Sequence, residues 1–127
     1  MTDLGDIGPV DCVYAAHTIE HLYPHEVQKA FAEFLRVLRP GGAFVMLVPD
    51  LENVRPTDEV VYISTAGPIT GFDMYYGKRD LLDEHPYMAH HCGFVRDTLT
   101  KELEAAGFSK VKVDAYGSLN LCGVGLK

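Results

Sequence analysis

Two apolar segments of strand length lie on either side of an amphipathic one in the first half of the chain. Residues Val10 to Ala16 (VDCVYAA) are apolar with almost no polar alternation, which is typical of a parallel-sheet strand buried on both faces. Residues Ala43 to Val48 (AFVMLV) form a second such run, and Pro49 and Asp50 end it. Both segments are therefore predicted to be strands of one sheet.

The segment between these strands has the periodicity of an α-helix. From His25 to Leu38, apolar side chains recur three and four positions apart, which places them on one helical face. They are Val27, Ala30, Phe31, Phe34, Leu35 and Leu38. Pro24 fits the first turn of this helix, and the run Pro40, Gly41, Gly42 is expected to end it. Strand, helix and strand in this order predict a right-handed βαβ unit.

The remaining elements follow a long segment without clear periodicity. Residues 51–92 contain several prolines and glycines among polar side chains, and we predict a lid or substrate-binding insertion, or else disorder. Arg96 to Ala106 is predicted to be helical, with Gly107 after its end. Lys110 to Ala115 and Leu119 to Leu126 are predicted strands. The 127 residues are thus expected to form one α/β domain, 1–127, with 51–92 as its insertion.

Composition excludes several classes of function. The chain has 18 acidic and 11 basic residues, and its formal charge of −7 disfavours binding to nucleic acid or to an anionic membrane. No apolar run approaches the roughly 20 residues that span a bilayer. The three cysteines form no C-x-x-C pair, which favours reduced thiols and a cytoplasmic location. Cys12 and Cys122 lie in apolar runs and are expected in the core.

The sequence HTIEH, from His17 to His21, has the H-x-x-E-H spacing of the inverted zinc peptidases. Two histidines can share a metal at this spacing when one unbroken helix carries them. Pro24 argues against such a helix and places the motif in the strand-to-helix connection, where Glu20 would contact a neighbouring backbone or basic group. We therefore predict no metal. A zinc hydrolase, with His25 or Glu26 as a further ligand, remains a minor alternative.

Three segments together carry a family resemblance: VDCVYAAHTIEHL, FLRVLRPGGAFVMLVPD and LTKELEAAGFSKVKVD. In this order and spacing, the chain resembles the class I S-adenosylmethionine-dependent methyltransferases. The resemblance implies a partial Rossmann-like sheet of about four strands, mostly parallel with an antiparallel C-terminal strand, flanked by helices. It also implies S-adenosylmethionine as the cofactor and methyl transfer to an unknown small-molecule acceptor.

The resemblance implies roles for individual residues. Ala16 and His17 lie at the carboxyl end of the predicted strand from Val10 to Ala16 and would contact the cofactor. Glu20 and His21 would be largely structural. The acceptor would lie near Asp50, on the same rim, and near residues of the insertion. The insertion residues are Tyr75, Tyr76, His90 and His91. The candidates for a catalytic base are His17, His90 and His91, because histidine titrates near neutral pH.

The family's cofactor-binding motif is missing from this sequence. The glycine-rich turn after the first family strand and the acidic residue after the second have no counterpart, so the match is to roughly the second half of the family fold. The strand from Val10 to Ala16 would then form an unprotected sheet edge, which favours pairing with another strand. We therefore expect a homodimer or a complementing chain along this edge. The alternative is a catalytically silent module for dimerisation or regulation.

Overall fold

The computed structural model describes all 127 residues, from Met1 to Lys127. Its regular elements, in chain order, are β1 (Val10–Ala16), α1 (Pro24–Val37), β2 (Leu38–Pro49), β3 (Val60–Ser64), β4 (Gly67–Thr70), α2 (Gly71–Tyr76), α3 (Arg96–Ala105), β5 (Ser109–Tyr116) and β6 (Asn120–Leu126). Short 3-10 turns occupy Ile19–His21, Arg79–Leu81 and Pro86–Met88. None of the helices combines the length and the apolar character needed to cross a membrane.

The main sheet has four strands in the order β1-β2-β6-β5. Strand β1 pairs with β2 in parallel, whereas β6 runs antiparallel to both β2 and β5. Three strands therefore share one direction and β6 opposes them. This arrangement confirms the predicted fold class of a mostly parallel partial sheet, flanked by helices, with an antiparallel C-terminal strand. It also places β1 at the edge of the sheet.

One face of the sheet carries the hydrophobic core. Helices α1 and α3 cover this face, where Phe44, Met46 and Val48 of β2 are fully buried. The ring of Phe44 packs against Phe34 at 4.9 Å and against Phe108 at 5.4 Å between centroids. Burial of aromatic rings at these spacings contributes both apolar area and favourable ring contacts. The covered face is therefore a well-packed two-layer core.

The opposite face of the sheet has no covering layer. In register, Tyr14 lies beside Val45, which lies beside Val124, and all three side chains point to this open face. Tyr14 is 63% exposed, and the two valines are half-buried. The prediction that β1 is buried on both faces is therefore wrong. Cys12 is exposed on the same face and Cys122 is only half-buried, so neither belongs to the closed core.

The boundary between α1 and β2 falls earlier than predicted. The helix ends at Val37, and β2 begins at Leu38, which pairs with Val10, instead of at Ala43. Arg39 precedes a proline, and a residue in that position is restricted to extended backbone. Pro40 therefore ends the helix and also favours extended backbone at Arg39, so that the strand begins before Ala43.

The segment 51–92 is more regular than its sequence suggested. Strands β3 and β4 form an antiparallel hairpin, and helix α2 follows directly. Val54, Ile69 and Met74 form a small buried cluster within this segment. The segment therefore has its own apolar contacts, and its role as a lid or substrate-binding insertion stays a prediction.

Candidate functional site

A cavity of about 400 Å³ opens at the carboxyl ends of β1 and β2. His17 follows β1, Pro49 ends β2, and Asn120 begins β6, so the main sheet supplies one wall. The insertion supplies the other wall with Tyr62, Ala66, Ile69, Asp73, Met74, Lys78, Leu81, His85, Tyr87, Met88 and His90. Ligands of open α/β sheets bind outside the carboxyl ends of the strands, and the volume suits a small molecule.

His17 has a left-handed backbone conformation at the cavity rim. Its φ is +50°, a conformation that few residues with a side chain adopt, and its amide N–H donates to the Leu47 carbonyl at 2.9 Å. Its Nδ1 lies 3.3 Å from Oε1 of Glu20. The neighbouring Glu20 carboxylate raises the pKa of His17, although partial burial acts in the opposite direction. Strained backbone of this kind is concentrated at functional sites.

Glu20 is buried at the base of the cavity wall, with 1% exposure. Ile19, also fully buried, anchors the 3-10 turn in the core. The Glu20 carbonyl accepts hydrogen bonds from the amides of His91 and Cys92. Neither carboxylate oxygen of Glu20 accepts a hydrogen bond, and the contact with His17 lacks hydrogen-bond alignment. The structure thus buries a carboxyl group whose oxygens have no hydrogen-bond partner.

Two histidines lie beside Glu20. The rings of His21 and His90 meet edge to face, with centroids 5.0 Å apart. Nδ1 of His21 lies 3.0 Å from the Ala89 carbonyl, and Nδ1 of His90 lies 3.1 Å from the Met74 carbonyl. Burial lowers the pKa of His90, which favours its neutral form. Glu20, His21 and His90 each offer a ligand atom within 4.8 Å of the others, which makes them a candidate metal-binding group.

Helix α2 is fixed by a capping box at its start. The Thr70 hydroxyl accepts from the Asp73 amide at 3.2 Å, and the Asp73 carboxylate accepts from the Thr70 amide at 2.9 Å. Asp73 also accepts from the Arg79 amide at 3.0 Å. Burial alone would raise the pKa of Asp73, but these hydrogen bonds outweigh it and lower the pKa. The carboxylate therefore joins α2 to the following turn as part of the cavity wall.

Of the predicted site residues, the structure brings His17 and His90 into the cavity. Ala16 ends β1 just below the rim, and its carbonyl accepts from the Thr18 hydroxyl. The Tyr75 hydroxyl donates to the Val54 carbonyl at 2.8 Å, within the insertion. Tyr76 is exposed and is not a lining residue. The cofactor and acceptor roles assigned to these residues stay predictions.

Two further predicted residues lie outside the cavity lining. The Asp50 carboxylate accepts from the Glu52 amide at 3.0 Å, and the His91 ring stacks on Tyr23 at 4.1 Å between centroids. The HTIEH motif lies in the connection between β1 and α1, as predicted. The ring of His25 stacks near Tyr23, so it does not join His21.

Several lining residues have no functional role predicted from the sequence. Asp73, Lys78 and His85 enter the cavity wall from the insertion, and Glu20 and His21, which are predicted to be structural, also line the cavity. A local signal existed for Asp73, because T-x-x-D at Thr70 is a capping-box pattern. No local pattern pointed to the meeting of His21 with His90, since the two lie far apart in the sequence.

Comparison with known protein families supports the resemblance drawn from the sequence. Residues 2–46, which cover β1, α1 and most of β2, match the family described as "Methyltransferase domain". No curated protein sequence matches the chain. The match includes the HTIEH connection, and it confirms the resemblance to methyltransferases over this part of the chain.

Solved structures of S-adenosylmethionine-dependent enzymes share the fold. A Burkholderia thailandensis 1,6-didemethyltoxoflavin-N1-methyltransferase with S-adenosylhomocysteine bound aligns at 18% identity and a TM-score of 0.64, covering 99% of this chain and 47% of that one. A Thermotoga maritima S-adenosylmethionine-dependent methyltransferase aligns at 17% identity and a TM-score of 0.63, and the alignment covers 99% of this chain and 60% of that one. Human N-acetylserotonin methyltransferase in complex with S-adenosylmethionine aligns at 10% identity and a TM-score of 0.60, and the alignment covers 97% of this chain and 31% of that one. The chain thus spans about a third to three fifths of these structures.

Proposed function

We propose that this chain takes part in S-adenosylmethionine-dependent methyl transfer to a small acceptor that binds in the cavity at the end of β1 and β2. The observation that carries the proposal is the position of this cavity, outside the carboxyl ends of two parallel strands in a methyltransferase fold. The family match over residues 2–46 supports it. A cytoplasmic setting accords with three free cysteines.

Within this proposal, the residues divide by position. Ala16 and His17, at the end of β1, would contact the methionine end of the cofactor. The acceptor would lie towards the insertion, near His90, and Asp50, Tyr75, Tyr76 and His91 would support the rim from outside the cavity lining. Methyl transfer depends chiefly on alignment of acceptor, methyl group and sulfur, so this wall would act mainly by positioning.

His17 is the base that we propose among the three histidine candidates. It is half-exposed at the rim, where a proton taken from the acceptor could pass to solvent. The ring of His91 instead stacks on Tyr23 outside the cavity, and His90 is held deeper in the wall. The base is needed only for an acceptor that must lose a proton.

We also propose that a second copy of this chain, or a separate chain, completes the cofactor site along β1. Strand β1 is an edge strand, and the open sheet face beside it exposes apolar side chains such as Tyr14. Unpaired strand edges and exposed apolar faces both favour association. The same features support the second candidate function, a methyltransferase-like module that assembles with a partner without catalysing transfer.

Calorimetry with S-adenosylhomocysteine, combined with light scattering, tests both proposals. We expect weak binding by dilute protein and tighter binding at concentrations where the protein associates. Tight binding by a monodisperse monomer would refute the need for completion along β1. Association without any binding of S-adenosylhomocysteine would favour the assembly module instead. A His17→Ala variant should lose affinity, whereas His25→Ala, an exposed histidine outside the cavity, should not.

A further inference from the structure

The wall of the cavity contains three side chains whose free ligand atoms converge. They are Glu20 and His21 of the connection after β1 and His90 of the insertion. We propose that these three residues bind a divalent transition-metal ion of the zinc class. The inference goes beyond methyl transfer and does not depend on it, because metal binding would be observed whether or not the cofactor binds.

The first argument is the state of the Glu20 carboxylate. It is 1% exposed, and neither oxygen accepts a hydrogen bond. An ionised carboxylate in such a place costs several kcal/mol unless a cation or hydrogen-bond donors compensate it. His17 gives partial compensation, since its Nδ1 lies 3.3 Å from Oε1. Oε2 has no hydrogen-bond partner, so a cation bound beside it would compensate a carboxylate that the protein leaves unsatisfied.

The second argument is the orientation of the two histidine rings. A carbonyl oxygen can only accept a hydrogen bond, so the Nδ1 atoms of His21 and His90 must carry protons to donate to Ala89 and Met74. Each neutral ring then has its lone pair on Nε2. Histidines that bind metals in proteins are held in this way, with the other nitrogen donating to a carbonyl or carboxylate. Both rings are therefore pre-oriented as ligands.

The third argument is the chemistry and spacing of the donor set. Two imidazole nitrogens with one carboxylate oxygen form a set that zinc takes in catalytic sites, whereas magnesium and calcium prefer oxygen ligands alone. The ligand atoms lie within 4.8 Å of one another. Zinc at its usual bond lengths would bring them to about 3.4 Å, so binding requires the three side chains to move closer together.

The fourth coordination position would face the cavity. All three residues line the cavity, so a bound ion would be open on that side to water or to a small molecule with an oxygen or nitrogen donor. The metal would also tie the insertion to the connection after β1. The class of ligand expected in the cavity is thus one that can coordinate zinc.

Zinc titration of the full chain, stripped of metal by a chelator, tests the proposal. We expect one zinc per chain and a rise in Tm when zinc is added. Glu20→Gln and His90→Gln should each weaken binding at least tenfold, because substitution of even an outer partner of a metal ligand costs this much. His25→Gln is the matched control, since this histidine is exposed near the same connection and should leave affinity unchanged.

Thermal unfolding of the metal-free variants separates ligation from folding. Because Glu20→Gln removes a buried carboxylate whose oxygens accept no hydrogen bond, the metal-free variant should unfold no earlier than the wild type while losing the zinc-induced rise in Tm. Absence of stoichiometric zinc binding would overturn the proposal. So would undiminished binding by Glu20→Gln, equal loss in His25→Gln, or a preference for magnesium over zinc. None of these outcomes bears on S-adenosylhomocysteine binding, which is measured separately.

Discussion

The amide of His91 donates a 2.8 Å hydrogen bond to the carbonyl of Glu20, joining the end of the insertion to the turn after β1. Cys92 makes a second bond to the same carbonyl at 3.2 Å, and Ala89 accepts from His21 at 3.0 Å. The last residues of the insertion are therefore hydrogen-bonded to the turn after β1. Because these hydrogen bonds hold the cavity wall near His90, we expect any closing motion in the earlier part of residues 51–92.

Because helices cover only one face of the sheet, the same substitution should lower the free energy of unfolding by different amounts on the two faces of β2. Val48 is fully buried under the helices, whereas Val45 is half-buried on the open face. We expect Val48→Ala to lower the free energy of unfolding by about 1.5–3 kcal/mol and Val45→Ala by less than about 1 kcal/mol. Urea denaturation of dilute protein measures both values.

The cost of Val45→Ala also shows whether the protein associates through the open face of the sheet. If a partner covers the open face, the cost of Val45→Ala should increase with protein concentration, because area buried by the partner then adds to the loss. Equal costs at low concentration would contradict the uncovered face.

Gly77 is predicted to tolerate no side chain. Its φ is +87°, and an added Cβ would lie 2.6 Å from the Met88 carbonyl oxygen. We expect Gly77→Ala to destabilise the protein by about 1–3 kcal/mol more than Gly117→Ala, since overpacking adds to backbone strain. Gly117 is the control because its φ of +57° is also positive but nothing lies within 4 Å of its Cβ position. Similar costs for the two variants in urea denaturation would disprove the clash.

Asp73 should be important for the stability of α2. Its carboxylate accepts from the amides of Thr70 and Arg79, and hydrogen bonds to a charged acceptor are worth about 1.5–3 kcal/mol each. We expect Asp73→Ala to cost at least about 1.5 kcal/mol by chemical denaturation. Asp80→Ala, at an exposed carboxylate in the same segment, should cost far less. An equal effect would show that the capping box does not hold this wall.

The ion pair between Glu33 and Arg36, next to the N-terminal segment, predicts that the free energy of unfolding depends on pH. Glu33 accepts from Arg36 and from the Leu4 amide, and these contacts lower its pKa to about 2. Because the pKa is lower in the folded state, the stabilisation is present above the unfolded value of about 4.3 and is lost as pH falls towards 2. The difference in stability between wild type and Glu33→Gln should therefore be constant near pH 7 and shrink below pH 4. A difference that grows on acidification would contradict this assignment.

The sequence predicted the elements whose pattern is local. The periodicity from Val27 to Leu38 predicted α1, and Pro24 predicted its start, because helical spacing and proline geometry depend on neighbouring residues alone. The short apolar runs predicted β1 and β2. The same runs did not show that β1 is exposed on one face, because burial depends on which elements cover a strand.

The elements of the insertion could not be predicted from the sequence, for a related reason. Its hairpin is short, with β4 only four residues long, so alternation gives little signal. The T-x-x-D pattern at Thr70 is a helix-start signal, but only the structure shows that the Asp73 carboxylate accepts from the amides of both Thr70 and Arg79.

The sequence by itself determined the α/β class, the βαβ unit and the histidines and carboxylates available near the end of β1, because propensity and periodicity are properties of neighbouring residues. Only the tertiary structure decided that His90 meets Glu20 and His21 instead of His17 and His21 sharing one helix face. That meeting requires the insertion to return to the sheet and hydrogen-bond to the turn after β1, a long-range path that no local pattern in the sequence specifies.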